Sequence, residues 1–354
     1  MRPPLTAWAP GRINLIGEHT DYSGGLAMPA AIELGVRVTV ESVADGVALR
    51  SALYGAADPF AADGSGPRAE GWVRYGQAVA RELDALGRRP VGLVAAIESD
   101  LPAAVGLSSS AALEVGIALA LCAVAELELE PLALAQACRR AEQRAVGVPC
   151  GILDQAACVL GREGTAIVLD CATVEHRRVV LPPDAALVVV DSGVARALET
   201  SGYAVRRSEL ERALAVLGVE RSTEVDAAAV DSLEEPLRRR LRHVVSENMR
   251  VTAFADAVSA GDLATAGTLI SASHASLRDD YEVSTPELDE LVNLAERAGA
   301  YGARLVGAGF GGSILALADT GTADAVAAAV VAGYAGDARA FVVHASDGAH
   351  VTTS

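Results

Sequence analysis

Apolar and polar side chains alternate strictly over residues 36–43, which predicts a strand with one face in the core and one in water. Residues 109–127 are apolar nearly all round at helical length and predict a buried helix. A second helix is expected over 132–146, this one carrying Arg139, Arg140, Glu142 and Arg144. The short apolar runs 165–170 and 186–190 read as buried strands, and the Gly-, Ala-, Asp- and Pro-rich stretch 55–71 as a surface loop. Helical patterning returns over 204–217, 236–260 and 286–298, and residues 303–317 read as strand, glycine turn, strand. Strands and helices mix without regular alternation, which favours an α+β class over a doubly wound sheet. No internal repeat is visible. Leu181-Pro182-Pro183-Asp184 is the best candidate boundary and divides the chain into 1–183 and 184–354.

Composition narrows the chemistry. Of 354 residues, 51% are hydrophobic and 4% aromatic, so the core must be mostly Ala, Val and Leu. A net charge of -17 argues against nucleic acid or an anionic membrane as partner, although a nucleotide needs only a local site. All 29 basic residues are arginine. Without lysine the chain cannot run the chemistry of phosphate-loop NTPases, protein kinases, pyridoxal enzymes or Schiff-base aldolases. Five cysteines, none in a Cys-x-x-Cys pair, read as reduced thiols, four of them in or beside apolar runs, and suit the cytoplasm. The N-terminus has no signal-peptide pattern. The longest candidate membrane run, 111–127, is broken by Glu114 and Gly116.

Two segments concentrate polar chemistry. Gly11-Arg12-Ile13-Asn14-Leu15-Ile16-Gly17-Glu18-His19-Thr20-Asp21-Tyr22 packs Arg12, Asn14, Glu18, His19, Asp21 and Tyr22 onto an apolar stem. That density suits a polyhydroxylated ligand, whose hydroxyls both donate and accept. A polar surface turn with a buried ion pair would give the same local pattern. Leu101-Pro102-Ala103-Ala104-Val105-Gly106-Leu107-Ser108-Ser109-Ser110-Ala111-Ala112 runs from a small-residue loop into the buried helix. Free N–H groups and a partial positive charge at a helix N-terminus bind phosphate, and small side chains let the backbone approach. A plain serine cap is the alternative.

The serine segment resembles the phosphate-binding motif of the GHMP kinases, and the opening segment resembles the galactokinase signature within that family. Gly147-Val148-Pro149-Cys150-Gly151-Ile152-Leu153-Asp154-Gln155 is similar to the family's catalytic loop. The stretches 273–284 and 302–312 resemble its C-terminal signatures, so the resemblance covers nearly the whole chain. Ala104 and Ser23 stand where the family usually has Gly and often Asn, and the segment before the first motif is shorter than usual.

The resemblance implies a two-domain α+β fold. Residues 1–183 would form an S5-domain-2-like α/β domain with the sugar and phosphate loops, and 184–354 a ferredoxin-like α/β domain. The active site would lie between them. It further implies Asp154 as base beside the sugar C1 hydroxyl, with Arg12 close to both. Glu18, His19, Thr20, Asp21, Gly151 and Tyr203 would hold the sugar. Ala104, Val105, Gly106, Leu107, Ser108, Ser109 and Ser110 would hold ATP, and Ser110 and Glu142 would hold Mg²⁺. Without the resemblance, Glu142 among three arginines reads as a surface ion-pair residue. The glycine run 307–312 would close over the phosphate side, although a tight turn between strands gives the same pattern.

The expected reaction is ATP-dependent phosphorylation of D-galactose at C1, feeding galactose catabolism by the Leloir pathway, in a cytoplasmic monomer. Its partners would be the sugar and ATP, with no nucleic acid or membrane. Two alternatives share the resemblance: a sugar 1-kinase for another hexose or pentose, and a non-catalytic sugar- and ATP-sensing regulator.

Overall fold

The structure is a computed structural model and describes residues 5–102, 105–147, 150–194 and 199–353. In chain order its first half contains β1 (Leu5–Asn14), β2 (Leu26–Ala27), β3 (Pro29–Ala44), β4 (Gly46–Ser51), β5 (Gly55–Ala56) and β6 (Phe60–Ala61). Next come α1 (Val73–Ala85), β7 (Gly92–Ser99), α2 (Ser109–Ala125), α3 (Pro131–Val146) and α4 (Leu153–Leu160). The chain continues through β8 (Thr165–Asp170), β9 (His176–Val180), β10 (Ala185–Asp191), α5 (Glu199–Leu217), α6 (Leu237–Ser259) and α7 (Leu263–Asp279). It closes with α8 (Pro286–Arg297), β11 (Gly302–Val306), β12 (Ser313–Asp319), α9 (Ala323–Gly333), β13 (Arg339–Val343) and β14 (His350–Thr353).

The large sheet runs β14-β1-β3-β7-β4-β5, with β6 also on β4; β4 and β7 pair in parallel and the rest antiparallel. Helix α2 lies across β1 and β3, flanked by α1, α3 and α4. Its lack of any polar stripe follows from that burial on all sides. At Gly116 a Cβ would meet Val38 Cγ2 at 3.1 Å, so the small residue lets helix and sheet approach.

A second sheet, β11-β12-β10-β13, is antiparallel throughout, with α7, α8 and α9 packed on its strands. Along β10, Leu187 and Val189 enter the core of the first half, whereas Ala186, Val188 and Val190 enter the second core. A strand buried on both faces needs a continuous apolar run. The two halves therefore share packing, and β14 returns to pair with β1.

The fold is the two-part α/β arrangement expected. Helix α2 starts at Ser109 and α3 ends at Val146, while β8 spans 165–170. Two readings change in detail. The alternating strand is the middle of the longer β3, and a bulge between Val40 and Ser42 leaves Ser42 and Val43 exposed beyond it. The loop 55–71 contains β5 and β6, and Phe60 is buried beneath it. All five cysteines are free, four of them buried and Cys150 half-buried. Among the described residues no helix is long and apolar enough to cross a membrane.

Candidate active site

The site forms where the end of β1 meets the N-termini of α2 and α4. A bulge between Pro10 and Arg12 shifts the β1–β3 register, and such bulges re-aim side chains. Gly11 lets the strand press on the serine loop: a Cβ there would lie 2.7 Å from the Leu107 carbonyl, which accepts from the Arg12 N–H at 3.1 Å. The buried Arg12 then places Nε and Nη2 each 2.7 Å from Asp154 Oδ1, while Nη1 donates to the Gly106 carbonyl at 2.7 Å. Ser108 Oγ donates to the other oxygen, Asp154 Oδ2, at 2.6 Å. Asp154 stands in the first turn of α4, whose end favours negative charge, and its side chain keeps 30% of its surface open. One carboxylate thus collects a guanidinium and a hydroxyl and stays accessible.

Ser108 occupies the cap position of α2 without capping it, because its hydroxyl is turned to Asp154. Its φ of 55° and that of 81° at Gly106 put both in the left-handed region. For serine that conformation is uncommon, and it is held here by bonds from two other segments. The arrangement leaves the helix end free of a side-chain cap, as an anion-binding turn requires. Val105 and Leu107 are buried and anchor the loop, Gly106 is half-buried, and Ser109 is exposed. Ala104 lies outside the described residues.

Beside this turn Ser110 Oγ donates to Glu142 Oε1 at 3.0 Å, and Gln155 Nε2 donates to Glu142 Oε2 at 2.7 Å and to Glu114 Oε2 at 3.2 Å. Arg140 and Arg144 do not pair with Glu142; both reach Glu82 on α1, at 2.8 Å. The ion-pair reading of Glu142 is therefore not what the structure shows. Burial, then the charge of Asp154, raises the Glu142 carboxyl above the usual range. Burial, then Glu142, raises Glu114 well above it. Glu114 Oε1 and Gln155 Oε1 have no hydrogen-bond partner among the described residues. A half-buried acid beside a hydroxyl, bonded by neutral groups, fits a hard divalent cation. Among the described residues no cluster of three or more His, Cys, Asp or Glu could hold a metal, and Mg²⁺, which keeps several waters, needs only one or two carboxylates.

Residues 17–22 wrap the other side. Gly17 takes φ 97° and its N–H donates to buried Glu247 Oε1 at 3.0 Å. Glu18 Oε1 accepts from the Gly307 N–H at 2.9 Å and from fully buried Arg304 at 3.3 Å. His19 sits at φ 62° with both ring nitrogens engaged, Nδ1 with Tyr22 Oη at 2.9 Å and Nε2 with the Ala308 carbonyl at 3.2 Å. Burial and the neighbouring His243 lower its pKa to about 3. Thr20 Oγ1 bonds the Gly17 and Leu26 carbonyls, so its side chain holds the loop together. Ser23 is buried and bonds Ser222 Oγ at 3.1 Å.

Asp21 faces Gly151 so closely that a Cβ on Gly151 would lie 1.9 Å from Asp21 Oδ2. Desolvation, then the charges of Asp154 and Glu18, raises Asp21 to about 7. Tyr203 on α5 lies half-buried with its ring 5.5 Å from Tyr22 and 6.0 Å from His19. Fixed partners that local sequence did not single out are Gln155, Glu247, Arg304, Tyr281 and Ser313. Gln155 follows Asp154 directly, and Tyr281 and Arg304 lie within the stretches 273–284 and 302–312, but nothing local marks what each of them bonds.

The turn between β11 and β12 touches both loops. Gly307, Gly309, Gly311 and Gly312 all have positive φ, as does Phe310 at 59°. Through Gly307 and Ala308 the turn reaches Glu18 and His19, and through Ser313 Oγ it donates to the Val105 carbonyl at 2.8 Å. A cleft of about 860 Å³ lies over residues 56–61 and 65–73, where the sequence predicts only a surface loop. Trp72 stands in its wall, with Tyr54 stacked 6.4 Å away. Arg68 ties this region to the Ala145 carbonyl at the end of α3.

Comparison with known proteins identifies the family. Residues 74–162 match the GHMP kinases N terminal domain, 254–336 the GHMP kinases C terminal domain, and 2–42 the galactokinase galactose-binding signature. The galactokinase of Pyrococcus furiosus is 40% identical over 98% of this chain and 99% of its own. The crystal structure of Lactococcus lactis galactokinase complexed with galactose superposes with a TM-score of 0.91 at 35% identity, covering 98% of this chain and 95% of that one. Methanococcus jannaschii mevalonate kinase, at 19% identity and a TM-score of 0.69 over 97% of this chain and 98% of its own, shares the fold. The similarity runs end to end and includes the segment that carries Arg12 and Glu18 to Tyr22, so the chain belongs to the GHMP kinase family, in its galactokinase branch.

Proposed function

We propose that this GHMP kinase transfers the γ-phosphoryl group of ATP to the C1 hydroxyl of D-galactose, giving galactose 1-phosphate and ADP. The observation that carries the reading is Asp154: accessible, bonded by Arg12 and Ser108, and next to the loop that matches a galactose-binding signature. Phosphoryl transfer is largely dissociative, so the alcohol needs orientation more than early deprotonation. Asp154 accepts a hydrogen bond from the C1 hydroxyl and takes its proton late. Arg12 lies where negative charge develops on the transferring group. Glu18 Oε2, Asp21 and the Gly151 backbone offer the remaining sugar contacts, while Tyr203 supplies an aromatic side. The uncapped turn at Ser108 to Ser110 receives the phosphates through backbone N–H groups. The cleft at Trp72 offers an aromatic wall to the base.

Ser110 and Glu142 would hold Mg²⁺, which when bound neutralises phosphate charge and orients the transferring group. A polar wall rejects a sugar that leaves its groups unpaired better than an apolar pocket does. Galactose and glucose differ only in the direction of the C4 hydroxyl, and each stranded group costs ~1–3 kcal/mol. The test is ADP release across a panel of hexoses and pentoses. Galactose should lead, with glucose roughly a hundredfold poorer in kcat/KM. Equal kcat/KM for the two would overturn the galactose assignment and leave the kinase chemistry standing. No ADP release with any sugar would favour a sensor.

A further inference from the structure

The hydrogen bonds around His19 have only one possible polarity. The Ala308 carbonyl can only accept, so His19 Nε2 carries the proton and donates to it at 3.2 Å. In a neutral imidazole Nδ1 is then an acceptor, and the Tyr22 hydroxyl donates to it at 2.9 Å. Tyr22 has spent its only proton, so its oxygen accepts from the Tyr281 hydroxyl at 2.7 Å. The imidazole is kept neutral by burial. Every proton in the series Tyr281, Tyr22, His19, Ala308 is thereby assigned. The rings also pack: His19 lies 4.7 Å from Tyr281, and its plane is at 82° to that of Tyr22.

The far end is anchored as firmly. Tyr281 is fully buried, and its carbonyl accepts from Arg206 Nε at 2.6 Å. Next to it Glu282 accepts from Arg240 at 2.5 Å and Arg239 at 2.7 Å. At the near end His19 grips the glycine turn, which bonds the serine loop through Ser313 and Val105. Neither ring nitrogen of His19 is left for a sugar hydroxyl.

We propose that His19, Tyr22 and Tyr281 are positioning residues forming a latch between the sugar loop and the glycine turn, through which sugar and nucleotide binding reinforce each other. The latch rests on the assignment of galactose to residues 18–21 and of ATP phosphates to the serine loop. A sugar that settles against Glu18 and Asp21 holds residues 18–22 in register. The directed bonds carry that order to Ala308, and Ser313 carries it to Val105. Coupling then needs no contact between His19 and either ligand.

Calorimetric titration tests it, using the non-hydrolysable analogue AMP-PNP with Mg²⁺, with and without saturating galactose. In the wild type galactose should tighten AMP-PNP by about fivefold or more. Tyr22→Phe keeps the ring and removes the proton His19 accepts, so the enhancement should fall to within about twofold while galactose affinity alone stays within about threefold. Tyr281→Phe should leave an intermediate enhancement, and it carries the test if Tyr22→Phe does not fold. Enhancement retained in both variants overturns the latch, even if their thermal midpoints drop, because the role is then structural. Galactose affinity lost with enhancement intact overturns it in favour of direct sugar contact. No enhancement in a wild type that binds both ligands also overturns it. A wild type that binds AMP-PNP but no galactose overturns the functional reading, and the latch with it.

Discussion

Asp154 and Glu142 are neighbouring carboxylates in opposite electrostatic settings. Asp154 is matched by a guanidinium on one oxygen and a hydroxyl on the other, at the positive end of a helix. Glu142 meets the neutral groups of Ser110, Gln155 and Cys150, and is raised by burial and by Asp154. A balanced carboxylate is ready to accept a proton from an alcohol as charge moves. An unbalanced one is a place for a cation to arrive. On the proposed function the same side-chain chemistry would serve two tasks, because the fold distributes arginine to one and withholds it from the other.

The largest expected effect comes from removing the balanced acid. Asp154→Asn keeps the shape and loses the acceptor, so turnover should fall about a thousandfold while galactose affinity stays within about threefold. Single-turnover kinetics with calorimetry checks this. A loss under tenfold, or ~1.4 kcal/mol, would sink the assignment. Arg12→Ala removes the balance itself. It should lower kcat by roughly a hundredfold and change KM little, because its charge matters most in the transition state. An effect confined to KM would make Arg12 a ground-state binder.

Glu142→Gln sharpens the contrast from the other side. The Mg²⁺ concentration for half-maximal rate should rise about tenfold. The thermal midpoint of the ligand-free protein should hold or rise, because a neutral amide replaces a half-buried acid with no cation. A melted protein by circular dichroism would make Glu142 structural instead.

The smallest effect concerns Asp21, raised to about 7 by desolvation and by Asp154 and Glu18. The native state binds its proton more tightly than the unfolded chain. Asp21 therefore makes stability fall as pH rises from about 4 to about 7, with no further change above. Asp21→Asn should raise the thermal midpoint of the ligand-free protein at pH 8 and raise it less at pH 5.5. An equal midpoint shift at both pH values would show that Asp21 is not raised.

Much of the fold was legible where the burial pattern is simple. Helix α2 is apolar on every side because it is packed on every side, and β10 is a continuous apolar run because both its faces are covered. Two helices give weaker signals. Helix α7 mixes Ala, Ser, Thr and Gly without a clean stripe, and α9 is nearly all alanine and valine. Helix α1 is a miss of the sequence reading, even though its apolar and polar residues segregate to opposite faces. Of the site, residues 11–22 and 101–112 stand out because each gathers its polar groups within a dozen positions.

The sequence by itself determined the α+β class, the two polar loops, and the exclusion of lysine-dependent phosphate chemistry, because these depend on composition and on neighbours along the chain. Only the tertiary structure decided which charges meet. Arg12 and Asp154 lie 142 residues apart, and Glu18 and Gly307 lie 289 apart. The arginines adjacent to Glu142 in sequence, Arg140 and Arg144, turn away to Glu82 because helix phase and the packing of α3 on α1 set their direction. His19 illustrates the same division: its place in a polar motif is local, but the occupation of both its nitrogens depends on Tyr22 and on a turn near the other end of the chain. Hydrogen bonds and desolvation act over a few ångströms, so the groups that decide a side chain's chemistry are those the fold brings within reach.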